Sequence, residues 1–259
     1  MNKSTLVGMI HLPPLPGSAR AKLSIDALID RATAEAKLLA AAGFDAVMVE
    51  NFGDTPFAAD AVPPETVAAM AILVRAVRET VGRRIQIGVN VLRNDGLAGV
   101  AIAATAGADF IRVNVLSGIY ATDQGFITGR PREILAARNR LCSGLKIAAD
   151  VHVNHAAPIN QPDIAQAAKE TALRAGADRL IVSGAATGAA ADLDDVRRVK
   201  AAAPRVPLWL GSGVDADNVA DYLAVADGVI VGTSLKRGGE TTAPLDPRRV
   251  QAFLRAARR

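Results

Sequence analysis

The sequence predicts a (β/α)8 TIM barrel, on three observations. Apolar runs of strand length alternate with longer, alanine-rich amphipathic segments along the whole chain, the pattern of repeated β-α units on a parallel sheet. Several helical segments stop at one signal, seen in Ala42-Gly43-Phe44-Asp45, Ala106-Gly107-Ala108-Asp109 and Ala175-Gly176-Ala177-Asp178. A glycine there can take the left-handed cap conformation before the next strand begins. Nearly every strand run also ends in polar or ionisable residues, and function in such barrels gathers at the C-terminal ends of strands.

The strands read in order as Leu6 to Leu12, Ala46 to Asn51, Ile85 to Leu92, Phe110 to Val115, Lys146 to His152, Leu180 to Ser183, Leu208 to Val214 and Val229 to Leu235. Helical spacing follows each: Ser24 to Ala41, Pro63 to Val81, Asp95 to Ala106, Arg132 to Cys142, Asp163 to Ala175, Asp192 to Ala203, Asp217 to Leu223 and Asp246 to Arg258. Ser24, Asp95, Asp163, Asp217 and Asp246 are suited to open helices, because their side chains accept bonds from first-turn amides. An open doubly wound sheet is the competitor. It lacks its GxGxxG after the first strand, where the chain instead reads Pro13-Pro14-Leu15-Pro16-Gly17-Ser18. No linker splits the 259 residues, and one domain spanning 1–259 is expected.

Composition narrows the function classes. Half of the residues are apolar and 22% are charged, enough for a sizeable core. Aromatics at 3% and a net charge of only +4 disfavour nucleic acid as a partner. Arginines near the C-terminus (Arg248, Arg249, Arg255, Arg258) read as the polar face of a last helix. Lone Cys142 has no intramolecular partner and reads as a buried thiol. No apolar run is long enough to span a bilayer, and without a signal-peptide core the cytoplasm is the expected compartment. Association into a homo-oligomer is left open.

The strand ends supply the candidate site: His11, then Glu50 with Asn51, Asn90, Arg112 with Asn114, Asp150 with His152, Ser183, Ser212, and Thr233 with Ser234. Side-chain alternation puts Glu50 with Met48 and Ala46, Asn90 with Gly88, Asn114 with Arg112, and Asp150 with Ala148 and His152. All can point into the mouth. A partly desolvated carboxylate beside a second one or a histidine can be tuned toward working pH, so Glu50, Asp150, His152 and His11 are the catalytic candidates. Asn90, Arg112, Asn114 and Ser183 are candidates for substrate binding, with a charge partnership of Arg112 with Glu50 or Asp150 as the alternative. His155 falls past the strand.

The last two strands end in Gly211-Ser212-Gly213 and Gly232-Thr233-Ser234. Glycine lets the backbone approach a ligand and short-helix amides attract an anion, which reads as a phosphate cup. No cofactor is evidently required. A divalent metal is conceivable on His11, Glu50, Asp150, His152 and His155, although no compact ligand spacing such as HExxH occurs. Ser117 to Arg130 reads as a lid or a plain long connection.

Six strings, Gly8-Met-Ile-His-Leu-Pro-Pro-Leu-Pro-Gly-Ser18, Val49-Glu-Asn-Phe-Gly-Asp54, Asn90-Val-Leu-Arg-Asn-Asp95, Phe110-Ile-Arg-Val-Asn-Val115, Ala149-Asp-Val-His-Val-Asn-His155, and Gly211-Ser-Gly-Val214 with Val231-Gly-Thr-Ser-Leu-Lys236, resemble those of the BtpA family along nearly the whole chain. The resemblance implies a barrel fold. It also implies two functional classes, because the family is named for a photosystem I biogenesis protein while other members resemble sugar-phosphate enzymes. The residues favour an enzyme acting on a small phosphorylated metabolite, a sugar phosphate or ribosyl phosphate, by acid-base chemistry: isomerisation, aldol-type cleavage, or glycosidic or nucleosidic bond cleavage. The alternative is an assembly factor without catalytic activity.

Overall fold

A computed structural model describes residues 4–160, 163–184 and 188–258. Its strands, in chain order, are β1 (Thr5–His11), β2 (Ala46–Glu50), β3 (Gln86–Asn90), β4 (Phe110–Val113), β5 (Ile119–Thr122), β6 (Gly125–Thr128), β7 (Lys146–Val151), β8 (Ala156–Pro158), β9 (Arg179–Ser183), β10 (Leu208–Gly211) and β11 (Gly228–Val231). The helices are α1 (Ile25–Ala42), α2 (Pro64–Val81), α3 (Gly96–Ala106), α4 (Pro131–Leu141), α5 (Ile164–Lys169), α6 (Leu193–Ala202), α7 (Val219–Leu223) and α8 (Pro247–Ala257). Eight parallel strands close a barrel in the order β1-β2-β3-β4-β7-β9-β10-β11. Around it α8 meets α1, completing the outer ring.

Strands covered on both faces explain the near-continuous apolar runs, and β2 is buried at all five residues. Its outward Val47 and Val49 join the large core beneath the helices, whereas inward Ala46 and Met48 join a separate cluster with Val7, Met9, Phe110, Ala148, Ile181, Trp209 and Ile230. That second cluster fills the barrel. Phe110 meets Trp209 edge-on at 5.4 Å, with Arg179 4.8 Å above the Trp209 ring, an arrangement that suits the ring quadrupole. Gly88 makes room for it: a Cβ there would lie 2.3 Å from the Phe110 ring.

The repeated Ala-Gly-x-Asp signal has a structural use beyond capping. Asp45, Asp109 and Asp178 each accept a bond from the first amides of the preceding barrel strand, at Leu6 (3.0 Å), Ile87 (2.7 Å) and Ile147 (2.9 Å), and Asp227 does the same for Leu208 (2.7 Å). These aspartates satisfy strand-start donors at the bottom of the barrel. Ser24, Asp95, Asp163 and Asp246 cap α1, α3, α5 and α8 as expected. Asp217 does not cap α7. Its own amide and that of Asn218 bond Asp215 Oδ1 instead, because the chain makes an Asx turn before the short helix begins.

Seven barrel strands end earlier than the sequence pattern suggests, β1, β2, β3 and β4 by one or two residues and β7, β10 and β11 at a turn. β7 stops at Val151, and His152 turns left-handed at φ 53. β10 stops at Gly211, with Ser212 and Gly213 at φ 69 and 63, and β11 stops at Val231 before a short 3-10 turn, Thr233–Leu235. The apolar continuation in each case belongs to a turn that packs. The Ser117 to Arg130 segment is not a plain connection: β5 and β6 form a hairpin, and β8, from the loop after β7, adds to β5 as a third antiparallel strand. Among the described residues no helix is long and apolar enough to cross a membrane.

Candidate active site

Four strand-end residues stand in one register row, His11 beside Glu50, Glu50 beside Asn90, and Asn90 beside Arg112. Each lies two residues beyond a position on the inward face, so the row faces the barrel axis. A cavity of about 800 Å³ opens over it. Its floor is His11, Glu50, Arg112 and Asn114, and one wall is Ser212, Gly213, Gly232, Thr233 and Ser234. Phe52, Thr55, Phe57, Leu92 and Arg93 make another wall, and Asp123, Gln124, Asn154 and His155 reach in from the small antiparallel sheet and its neighbouring turn.

The two candidate carboxylates differ sharply. Asp150 is fully enclosed and takes a fork of bonds from Arg112, Nε to Oδ1 at 2.9 Å and Nη2 to Oδ2 at 2.8 Å, with a third from Asn114 Nδ2 at 3.1 Å. Glu50 is 6% exposed and its carboxylate takes no hydrogen bond from any described residue. The nearest basic nitrogens are His11 Nε2 at 3.7 Å and Arg112 Nη1 at 4.0 Å. Burial pushes the Glu50 carboxyl up from 4.5 to about 7; the Arg112 charge opposes the rise and the Asp150 charge adds to it. His11 moves the other way. Burial, with the positive charges of Lys236 and Arg112, lowers it to about 3, so at neutral pH the imidazole is uncharged.

The geometry sorts the remaining candidates. Asp150 does not line the cavity; it anchors Arg112, the charge partnership weighed as an alternative above. His152 is a correction. It leaves the strand face, lies outside the cavity lining, and packs its ring 6.4 Å from that of Tyr120 under the hairpin. The left-handed turn at His152 breaks the alternation that would have aimed it alongside Asp150. His155, past the strand, lines the cavity instead. Asn90 is buried beneath the floor, donating to the Arg112 carbonyl (3.2 Å) and to Asn114 Oδ1 (3.0 Å) while its own Oδ1 stays unpartnered. Ser183 and Gly211 also fall short of the cavity, the Ser183 hydroxyl being enclosed without a hydrogen-bond partner.

Ser212, Gly213, Gly232, Thr233 and Ser234 do come together. Ser234 Oγ donates to the Val214 carbonyl at 2.7 Å and ties the two turns to each other. The amides of Gly213, Thr233 and Ser234 find no acceptor among the described residues. Gly213 could not be another residue without cost: φ is 63 and a Cβ would lie 2.3 Å from the Ala189 carbonyl oxygen. Unpaired backbone amides of this kind can make an anion-binding concavity. Among the described residues no lysine lines the cavity. Lys236, just past the cup, is fully buried on Glu35 of α1 at 2.8 and 2.9 Å.

Among the described residues no three His, Cys, Asp or Glu side chains cluster as metal ligands. Strand-end reading missed Arg93, Phe52 and Phe57, which lie on turns where side-chain parity has no meaning. The only signal for Arg93 was its place three residues after Asn90.

The barrel superposes on N-(5'-phosphoribosyl)anthranilate isomerase from Pyrococcus furiosus with a TM-score of 0.61 at 17% identity, covering 98% of each chain, a likeness of fold. Relatives by sequence are closer. The photosystem I biogenesis protein BtpA of Synechocystis sp. is 45% identical over 97% of this chain and 87% of its own length. An uncharacterised protein of Thermococcus kodakarensis is 45% identical over 99% and 96%. The BtpA family model matches residues 2–259, a span that takes in every wall of the cavity, and the chain belongs to the BtpA family.

Proposed function

We propose that the protein is an enzyme that acts on a small phosphorylated metabolite, a sugar phosphate or ribosyl phosphate, by proton transfer through Glu50. The observation that carries this reading is Glu50 itself, a cavity carboxylate without a hydrogen bond, pushed up to about 7, where a group can both take and give a proton near neutral pH. The amide and hydroxyl cup at Ser212 to Gly213 and Gly232 to Ser234 would hold the phosphate. Neutral His11 and the Arg112 Nη1 side flank the carboxylate and would stabilise charge developing on a substrate oxygen. Asp150 acts through Arg112 as a positioning group. Isomerisation, aldol-type cleavage and glycosidic or nucleosidic cleavage all use such a site. A Schiff-base route has no support, as among the described residues no lysine lines the cavity.

The test is thermal-shift screening with inorganic phosphate, ribose 5-phosphate and glucose 6-phosphate beside ribose and glucose. A ligand of the native state raises the melting temperature, and only the phosphorylated compounds should do so. Absence of any anion effect overturns the cup. With a substrate found, Glu50→Gln should lower kcat roughly 10²- to 10⁴-fold. If Glu50 is the base, kcat/KM in the parent falls as pH drops below about 7. The name of the Synechocystis relative favours a second reading, an assembly factor without catalysis. That reading expects no turnover with any compound that binds.

A further inference from the structure

Arg93 is the arginine of the cavity lining that this mechanism does not use. It is 6% exposed and lines the cavity, yet the one hydrogen bond of its guanidinium among the described residues runs from Nη2 to the Asn154 carbonyl at 2.6 Å. No described carboxylate lies within ion-pair distance of it. Asp123, the acidic group on the nearby hairpin, is exposed and accepts from Gln124 Nε2 at 2.6 Å instead. The contrast with Arg112, whose fork is spent on Asp150, is direct. A buried guanidinium left without an anion is costly, and its planar donors match a carboxylate or phosphate in geometry.

Position adds the second half of the argument. Arg93 sits on the turn after β3, and β3 is four strands from β10 in either direction around the closed ring. The guanidinium reaches across to the Asn154 carbonyl on the turn after β7, and Asn154 Nδ2 in turn lies 3.4 Å from Ser212 Oγ, so Asn154 stands between Arg93 and the cup. We infer that the cavity has a second anion subsite at Arg93, and that the substrate is a phosphorylated carboxylic acid whose phosphate occupies the cup and whose carboxylate pairs with Arg93. A carboxylate fits better than a second phosphate, because one guanidinium must balance it in a cavity that already holds Asp123 and Asp215. The phosphate half rests on the function proposed above; the carboxylate half does not.

Two ligands differing only in the group at issue separate the halves: 6-phosphogluconate and glucitol 6-phosphate, titrated calorimetrically into the full chain. The carboxylate should tighten binding roughly 10- to 100-fold, the range of a charge-assisted bond. Arg93→Gln should bring the two ligands to near-equal affinity and leave glucitol 6-phosphate unchanged. Arg93→Lys should keep part of the preference, and carries the test alone if the Gln variant does not fold. Equal affinity of both ligands for the parent overturns the carboxylate subsite and leaves the cup standing. Binding of gluconate without binding of inorganic phosphate or glucitol 6-phosphate supports the Arg93 subsite and sinks the cup. Tighter, Arg93-dependent binding of glucitol 1,6-bisphosphate than of 6-phosphogluconate overturns the choice of carboxylate, and no binding of any of these ligands overturns both halves.

Discussion

Glu50 at the end of β2 and Asp150 at the end of β7 are the two carboxylates of the barrel mouth, both more than nine-tenths buried and both on inward-facing positions. They hold opposite states. Asp150 receives three hydrogen bonds, two of them the fork of Arg112, whereas Glu50 receives none and lies 4.0 Å from Nη1 of the same guanidinium. One arginine has been spent on one side of the mouth. Burial alone thus leads to a fixed ion pair where a cation meets the carboxylate at bonding distance, and to a group poised near neutral pH where it does not.

The largest expected effect lies on the Asp150 side. Asp150→Asn leaves Arg112 charged, buried and uncompensated, and should cost about 3–5 kcal/mol of unfolding free energy, read from denaturant midpoints. A loss under about 1 kcal/mol would mean that the pair is not the structural anchor described. Glu50→Gln should do the reverse. The folded-state value of Glu50 lies above its unfolded value of 4.5, at about 7, so the native state holds the proton more tightly. Its contribution is favourable at low pH and is lost as pH rises through about 7. Above that pH the variant should exceed the parent by up to about 3 kcal/mol, and below about pH 4.5 the two should converge. Parallel stability curves for parent and variant from pH 4 to 9 would remove the basis for Glu50 as the poised group.

Smaller effects sharpen the same contrast at the rim. Gly213→Ala forces a left-handed residue with a Cβ against the Ala189 carbonyl and should weaken inorganic phosphate binding about tenfold or more, at a stability cost of about 1–2 kcal/mol. Unchanged phosphate affinity would place the anion elsewhere. His155→Ala, on the cavity wall, should shift ligand affinity a few-fold, and His152→Ala should leave it alone. The opposite ranking in one titration series would restore His152 to the site.

Much of this site could be read along the strands and little of it between them. Glu50, His11 and Arg112 were found by parity because β1, β2 and β4 keep their alternation up to the residues named. The two turns could be picked out together because glycines at Gly213 and Gly232 mark backbone that other residues could not occupy without displacing Ala189 or His11. His152 was misplaced for a local reason: its positive φ leaves no trace in an apolar-polar pattern. Arg93 and the hairpin escaped because their placement is set by contacts with Asn154 and with β8, distant from them in sequence.

The fold class was determined by the chain alone, since strand-length runs, helix stops and Ala-Gly-x-Asp signals are local and repeat with the unit. So was the delivery of His11, Glu50 and Arg112 to the mouth. Tertiary structure decided which of them share charge. Arg112 reaches Asp150 across neighbouring strands, leaves Glu50 without a bond and so makes two like residues unlike, because a pKa depends on distances of a few ångströms that close only when β4 and β7 pair.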